Sequence, residues 1–150
     1  MPHSGTARQT EHAADKAQML DRTQESHRFE AMWRALSREG LLPQRSSFRP
    51  ERAGRLLSNI VLLEINPGAD ENGKDMTTQI RLLGGALRDL SDHNVTGFDY
   101  LDLVPDRAYQ SRHLMTCLTY PCAAWSLTPI VYERGYNSLI EVTNFPLIDD

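Results

Sequence analysis

The stretch Gln79–Val104, QIRLLGGALRDLSDHNVTGFDYLDLV, decides the reading of this chain. It opens as a strand, breaks at Gly84-Gly85, passes through a few helical residues to Thr96-Gly97, and ends in another short apolar helix. Helices this short do not sustain themselves, because nucleation fixes several residues for a single hydrogen bond. Set after a strand, they wrap one face of a sheet and leave a small cavity behind them. That arrangement suits a sensor or binding domain better than a catalyst.

Upstream, Thr77–Leu83 alternates, with Thr78, Ile80 and Leu82 on one face and Gln79, Arg81 and Leu83 on the other. This is the period of a strand. Ile60–Ile65, IVLLEI, is short and rich in β-branched residues, a buried strand. The polar loop Asn66–Asp75, NPGADENGKD, joins the two as a hairpin. Downstream, Asp106–Thr119 reads as the longest later helix, closed by Pro121. Cys122–Tyr132 and Asn137–Ile148 read as two strands joined by the turn Glu133-Arg134-Gly135-Tyr136. Pro129 and Pro146 within them mark bulges or edge positions, since proline cannot donate to a ladder.

Toward the N-terminus, Phe29, Met32, Trp33 and Leu36 fall at i, i+3, i+4 and i+7, one apolar face of a helix over 27–39. Ser26 is the expected N-cap and Gly40 the expected stop. The face either anchors the helix on the core or pairs with a second copy as a homodimer. Pro50 suits the first position of a short helix over Glu51–Leu57, with Arg49 as a poor N-cap. Residues 1–25 are polar without an apolar stripe and are expected to form a mobile tail, leaving 26–150 as the domain. Hairpin, helical crossover, hairpin makes an α+β domain: an antiparallel sheet with helices on one face.

Composition narrows the function. Apolar residues make up 40% and charged residues 24%, the balance of a soluble globular domain. The net charge of −4 supplies no basic field for nucleic acid or an anionic membrane. No apolar run approaches the ~20 residues of a membrane span, and the polar N-terminus is not a signal peptide. Cys117 and Cys122 match neither C-x-x-C nor a zinc spacing, so buried free thiols in a reducing cytoplasm are expected.

The element order and several local words resemble the PAS sensor-domain family. The resemblance is to a bacterial branch with a Trp-containing helix before the domain. Its words are matched by Trp33, Gly40, Pro43, Arg45, Pro50, Leu56 and Leu57 before the first strand, and by Arg81 and Gly84 at the second. Thr96-Gly97 and Pro146-Leu147 follow further on. It covers about 29–150. Arg49 departs from it, standing where an acidic residue would cap better. The family sheet has five strands, and only four are legible here. The last, which lies centrally between the first and fourth, is missing. The resemblance therefore implies a truncated chain, an unusual C-terminus, or a strand supplied by the N-terminal tail or a partner chain.

The same resemblance implies a cytoplasmic, non-catalytic sensory domain with a signalling protein partner. Its pocket would lie between the sheet and the helices spanning Leu87–Thr119. Ile80, Leu82, Leu101, Tyr109, His113, Leu114 and Trp125 are the expected lining. The ligand is unknown. His113 is where a haem ligand would lie in haem-binding relatives, beside Leu114, Met115 and Leu118, though a lone helical histidine is more often structural. A photoactive flavin is disfavoured, because no cysteine stands between Leu87 and Val104. Arg81 could grip an anion with its planar fork, or it could pair structurally with Asp99 or Asp102. Asp99 with Asp102, and Asp89 with Asp92, share an i, i+3 spacing that solvates a face as readily as it builds an acid–base pair. No H-E-x-x-H, G-x-S-x-G or P-loop word is present.

Overall fold

The computed structural model describes residues 21–90, 93–131 and 137–149. Strands β1 (Val61–Asn66) and β2 (Thr77–Leu83) form an antiparallel hairpin. Partners run from Val61↔Leu83 to Asn66↔Thr77, with a register shift between Leu62 and Leu63. Thr78 and Ile80 are buried and their neighbours exposed, as the alternation in β2 requires. In the connecting loop the Asp70 carboxylate accepts the backbone N–H groups of Asn72 and Lys74, at 3.0 and 2.9 Å. This is how a short acidic side chain stabilises a turn.

Helix α1 spans Gln24–Leu36. Its cap is Thr23, whose hydroxyl accepts the Ser26 N–H at 3.2 Å. Ser26 is not the expected N-cap; it is buried, and its hydroxyl accepts from Arg22 at 2.8 Å. The helix ends at Leu36, before Glu39 and Gly40, which both take positive φ in the following turn. The expected tail boundary at 25 thus falls inside α1, and residues 1–20 lie outside the described residues. A 3-10 segment runs from Pro50 to Asn59 with Arg49 as a cap that makes no side-chain bond. It kinks at Gly54, where φ is +56° and ψ −125°. Only glycine reaches that backbone region without a Cβ clash.

Helix α2 is the short Gly85–Leu90, a 3-10 turn follows at Tyr100–Asp102, and α3 spans Arg107–Thr119. Asp106 caps α3 by accepting the Tyr109 N–H at 2.9 Å. Strands β3 (Ala124–Val131) and β4 (Asn137–Asn144) pair antiparallel without a register shift. Pro129 therefore marks no bulge. It stands opposite Leu139 in a strand that, among the described residues, pairs with β4 alone, an edge that tolerates a missing donor. Pro146 lies beyond the end of β4, and the expected turn at 133–136 is outside the described residues.

The molecule is α+β, but its strands form two separate two-stranded sheets, not the single sheet expected. Among the described residues, β1 has only β2 beside it and β4 only β3. The outer edge of β2 is covered: Ile80 donates to Phe98 O at 3.0 Å and accepts from Gly97 N at 2.8 Å. The C-terminal segment returns beside the entry to the domain, where Arg45 N donates to Ile148 O at 2.7 Å.

Two apolar clusters hold these parts. Phe48, Ala53 and Ile60 are buried beneath Phe29, Met32 and Leu36 of α1 and Leu62 and Leu82 of the first hairpin. Met76, Leu101 and Leu114 are buried with Ile65, Tyr100 and Met115, joining the hairpin to α3.

Candidate functional site

A groove of about 850 Å³ opens between the two hairpins. One wall is β1, with Val61, Leu62, Leu63, Glu64 and Ile65 all contributing. The other is β4 and its exit, from Ile140 to Leu147. Helix α3 contributes Leu114, Cys117 and Leu118, spaced i, i+3 and i+4 so that they share one face. Helix α1 contributes Ser26, Phe29 and Trp33, spaced i, i+3 and i+7 on one face. The edges of β1 and β4 that lack a strand thus lie on one apolar cleft.

Three charged groups of the lining, Arg81, Glu64 and Glu141, have partners of their own. Arg81 meets Glu64 across the hairpin at 2.6 Å, both side chains about half exposed. The expected partners Asp99 and Asp102 are instead engaged by Arg107, at 3.6 and 2.6 Å. Glu141 accepts from Thr23 N at 3.2 Å and from Trp125 Nε1 at 2.6 Å. Burial works to raise its pKa, yet these donors outweigh burial and hold the carboxyl below its ordinary range.

The expected lining residues do not converge on this groove. Leu114 is there. Ile80 and Leu101, 2% and 1% exposed, are core residues on the covered side of the first hairpin. Leu82 packs on the Phe48 cluster. Tyr109 is 49% exposed and stacks on His113 with ring centroids 6.1 Å apart. His113 is half-buried on α3, its Nε2 3.1 Å from Asn144 Nδ2, and contributes to neither cavity described here. Trp125 lines a second, smaller cavity of about 360 Å³ with Arg22, Glu30, Arg34 and Cys122. There Glu30 takes hydrogen bonds from Arg22 and, at 2.8 Å, from Arg34. The Arg22 bond, then the Arg34 bond, lowers the Glu30 pKa against the opposing pull of burial.

The proposed partner face of α1 is directed into the protomer. Phe29, Met32 and Leu36 pack against the Phe48 cluster. Trp33 packs on Phe145 at 5.5 Å and donates its indole N–H to Pro146 O at 2.9 Å. Gly84 makes a close approach, but to protein: a Cβ there would lie 2.3 and 2.4 Å from the carbonyl oxygens of Ser58 and Leu57.

No family model matches the chain, and no curated protein or solved structure matches it either. Among the described residues, no helix is long and apolar enough to cross a membrane. No group of three or more His, Cys, Asp or Glu residues among them could hold a metal ion.

Of the seven side chains the sequence offered as a pocket lining, Leu114 is the one that lines this groove. Sequence reasoning missed β1 and Phe48 as walls, although IVLLEI was legible as an apolar strand. Which edge stays open depends on the Gly97–Phe98 turn covering β2, and no local pattern reports that. Chemically, the groove offers apolar side chains and alternate backbone N–H and C=O groups along two strand edges. Asp99 is consumed structurally. Burial pushes its pKa up, but bonds from Thr78 and Leu101 and the nearby Arg107 guanidinium bring it below its ordinary value.

Proposed function

We propose that this chain is a PAS-like regulatory domain of cytoplasmic signalling that acts by binding an apolar small molecule, without catalysis. The single observation that carries this reading is the groove of about 850 Å³ between the hairpins. Its volume falls within the roughly 300–1,000 Å³ range of small-molecule sites, and its walls are predominantly apolar with a few oriented polar groups. Of the two spaced acid pairs, Asp99 is held by Thr78 and Asp102 by Arg107. Asp92, of the other spaced pair, is outside the described residues. A ligand that prefers one arrangement of the hairpins would shift the balance between two states, which is all a sensor requires.

Native mass spectrometry of the chain expressed in its own host tests this. The expected result is a retained small molecule, lost when Leu118→Arg places a charge in the groove. A protein that keeps nothing and gains no thermal stability from apolar ligands overturns the reading. A second reading, a ligand-free interaction module, is favoured by the two open strand edges. An extended partner segment could pair with them as an added strand. In that case hydrogen exchange slows along β1 and β4 when the partner protein is added, and no small molecule is retained.

A further inference from the structure

Cys117 lines the large groove and Cys122 the smaller cavity, so the two cysteines stand between them. Cys117 lies in the last turn of α3 and is 4% exposed. The helix closes as Tyr120 N donates to Thr116 O at 3.0 Å, and the chain doubles back through Pro121. Cys122 N then donates to Cys117 O at 3.4 Å. That backbone bond brings the two residues side by side, the arrangement that lets a disulfide close without moving the backbone far. Both thiols are free. The Cys117 thiol is pushed up to about 11, first by burial and then by the neighbouring Cys122.

Their surroundings differ. Cys117 is sealed at the back of the large groove. Cys122 is half-buried and lines the smaller cavity with Arg22, Arg34 and Glu30. Two guanidinium groups against one carboxylate leave that cavity with a positive balance, and Arg34 is 67% exposed at its mouth. A small anionic reagent is therefore favoured at Cys122, with Cys117 waiting directly behind.

We propose that Cys117 and Cys122 form a reversible dithiol–disulfide site whose oxidant is an anionic low-molecular-weight disulfide entering through the small cavity. The Cys122 thiolate attacks one sulfur of the oxidant, forming a mixed disulfide and expelling the first thiolate, which takes up the proton Cys122 gave up. The Cys117 sulfur then attacks the Cys122 sulfur, expels the second thiolate and loses its proton to it. Two protein thiols and one small disulfide become one protein disulfide and two small thiols. Two electrons pass from protein to oxidant. The new bond ties the end of α3 to the start of β3, so the wall shared by the two cavities changes with redox state. This site does not depend on what the groove binds.

The test uses the reduced full chain, oxidised glutathione and intact-mass analysis with tryptic mapping. Both cysteines fall in the tryptic peptide 113–134, bounded by Arg112 and Arg134. Wild type is expected to lose the mass of two hydrogens within that peptide while staying monomeric, and to regain it with dithiothreitol. Cys117→Ser is expected to stop at the mixed disulfide on Cys122. Cys122→Ser is expected to slow reaction of Cys117 by about tenfold or more, because the buried thiol then has no exposed relay. A wild-type protein that stays reduced, stops at the glutathione adduct, or forms only intermolecular dimers overturns the proposal. The wild-type masses decide the matter even if a serine variant fails to fold.

Discussion

Thr78 is fully buried, and its hydroxyl joins two neighbours. It donates to Asp99 Oδ1 at 2.6 Å and accepts the Leu101 N–H at 3.2 Å. Replacing it by valine keeps the shape and removes both bonds. We expect a loss of about 1–3 kcal/mol in urea denaturation. The pH dependence follows from the same group. The folded pKa of Asp99 is depressed, so its contribution is present above the unfolded value of about 3.9 and is lost as pH falls through the lower folded value. Melting temperature should therefore fall as pH drops below the unfolded value in the wild type, and this acid-dependent fall should be shallower in Thr78→Val, where ionised Asp99 gains less on folding. Cys117 acts with the opposite sign. Its raised pKa leaves stability intact below the unfolded value of about 8.5 and erodes it as pH rises toward about 11. Thermal melts of Cys117→Ala across that range should be flatter than those of wild type.

At the scale of elements, glycines and one tryptophan fix how the pieces dock. Gly84 leaves β2 with its N–H bonded to Ile60 O at 2.8 Å, pressed against the backbone of Leu57 and Ser58. No side chain fits there, because the opposing atoms are carbonyls that cannot swing aside. Gly84→Ala should cost more than about 2 kcal/mol by chemical denaturation. Gly54→Ala meets open space but keeps a positive φ, so its cost should stay near about 1 kcal/mol. Equal costs would contradict the packing argument. The docking of α1 depends on Trp33. Trp33→Phe should lose about 1 kcal/mol for the bond to Pro146 O. Trp33→Ala should lose about 3 kcal/mol as the contact with Phe145 goes as well.

At the scale of the whole molecule, the distinctive feature is the asymmetry of the strand edges. β2 is covered by the Gly97–Phe98 turn, while β1 and β4 each turn an edge to the groove. Amide hydrogen exchange should reflect it. The Ile80 amide, bonded to Phe98 O, should be among the slowest, and alternate amides along β1 and β4 should exchange at least about tenfold faster. Uniform protection along all four strands would refute the open-edge picture. The sequence alone determined the alternation of β2, the limits of α3, and the amphipathic face of α1. Each is a local matter of residue period and capping chemistry. It also determined that Phe29, Met32 and Leu36 share a face, though not that Phe48 lies beneath them. Only the tertiary structure decided that the four strands form two sheets, that the cavity lies beside β1, and that Cys117 meets Cys122 behind a pair of arginines. Those outcomes depend on contacts between distant segments, as when Trp33 reaches Pro146, and such contacts leave no periodic trace in the chain.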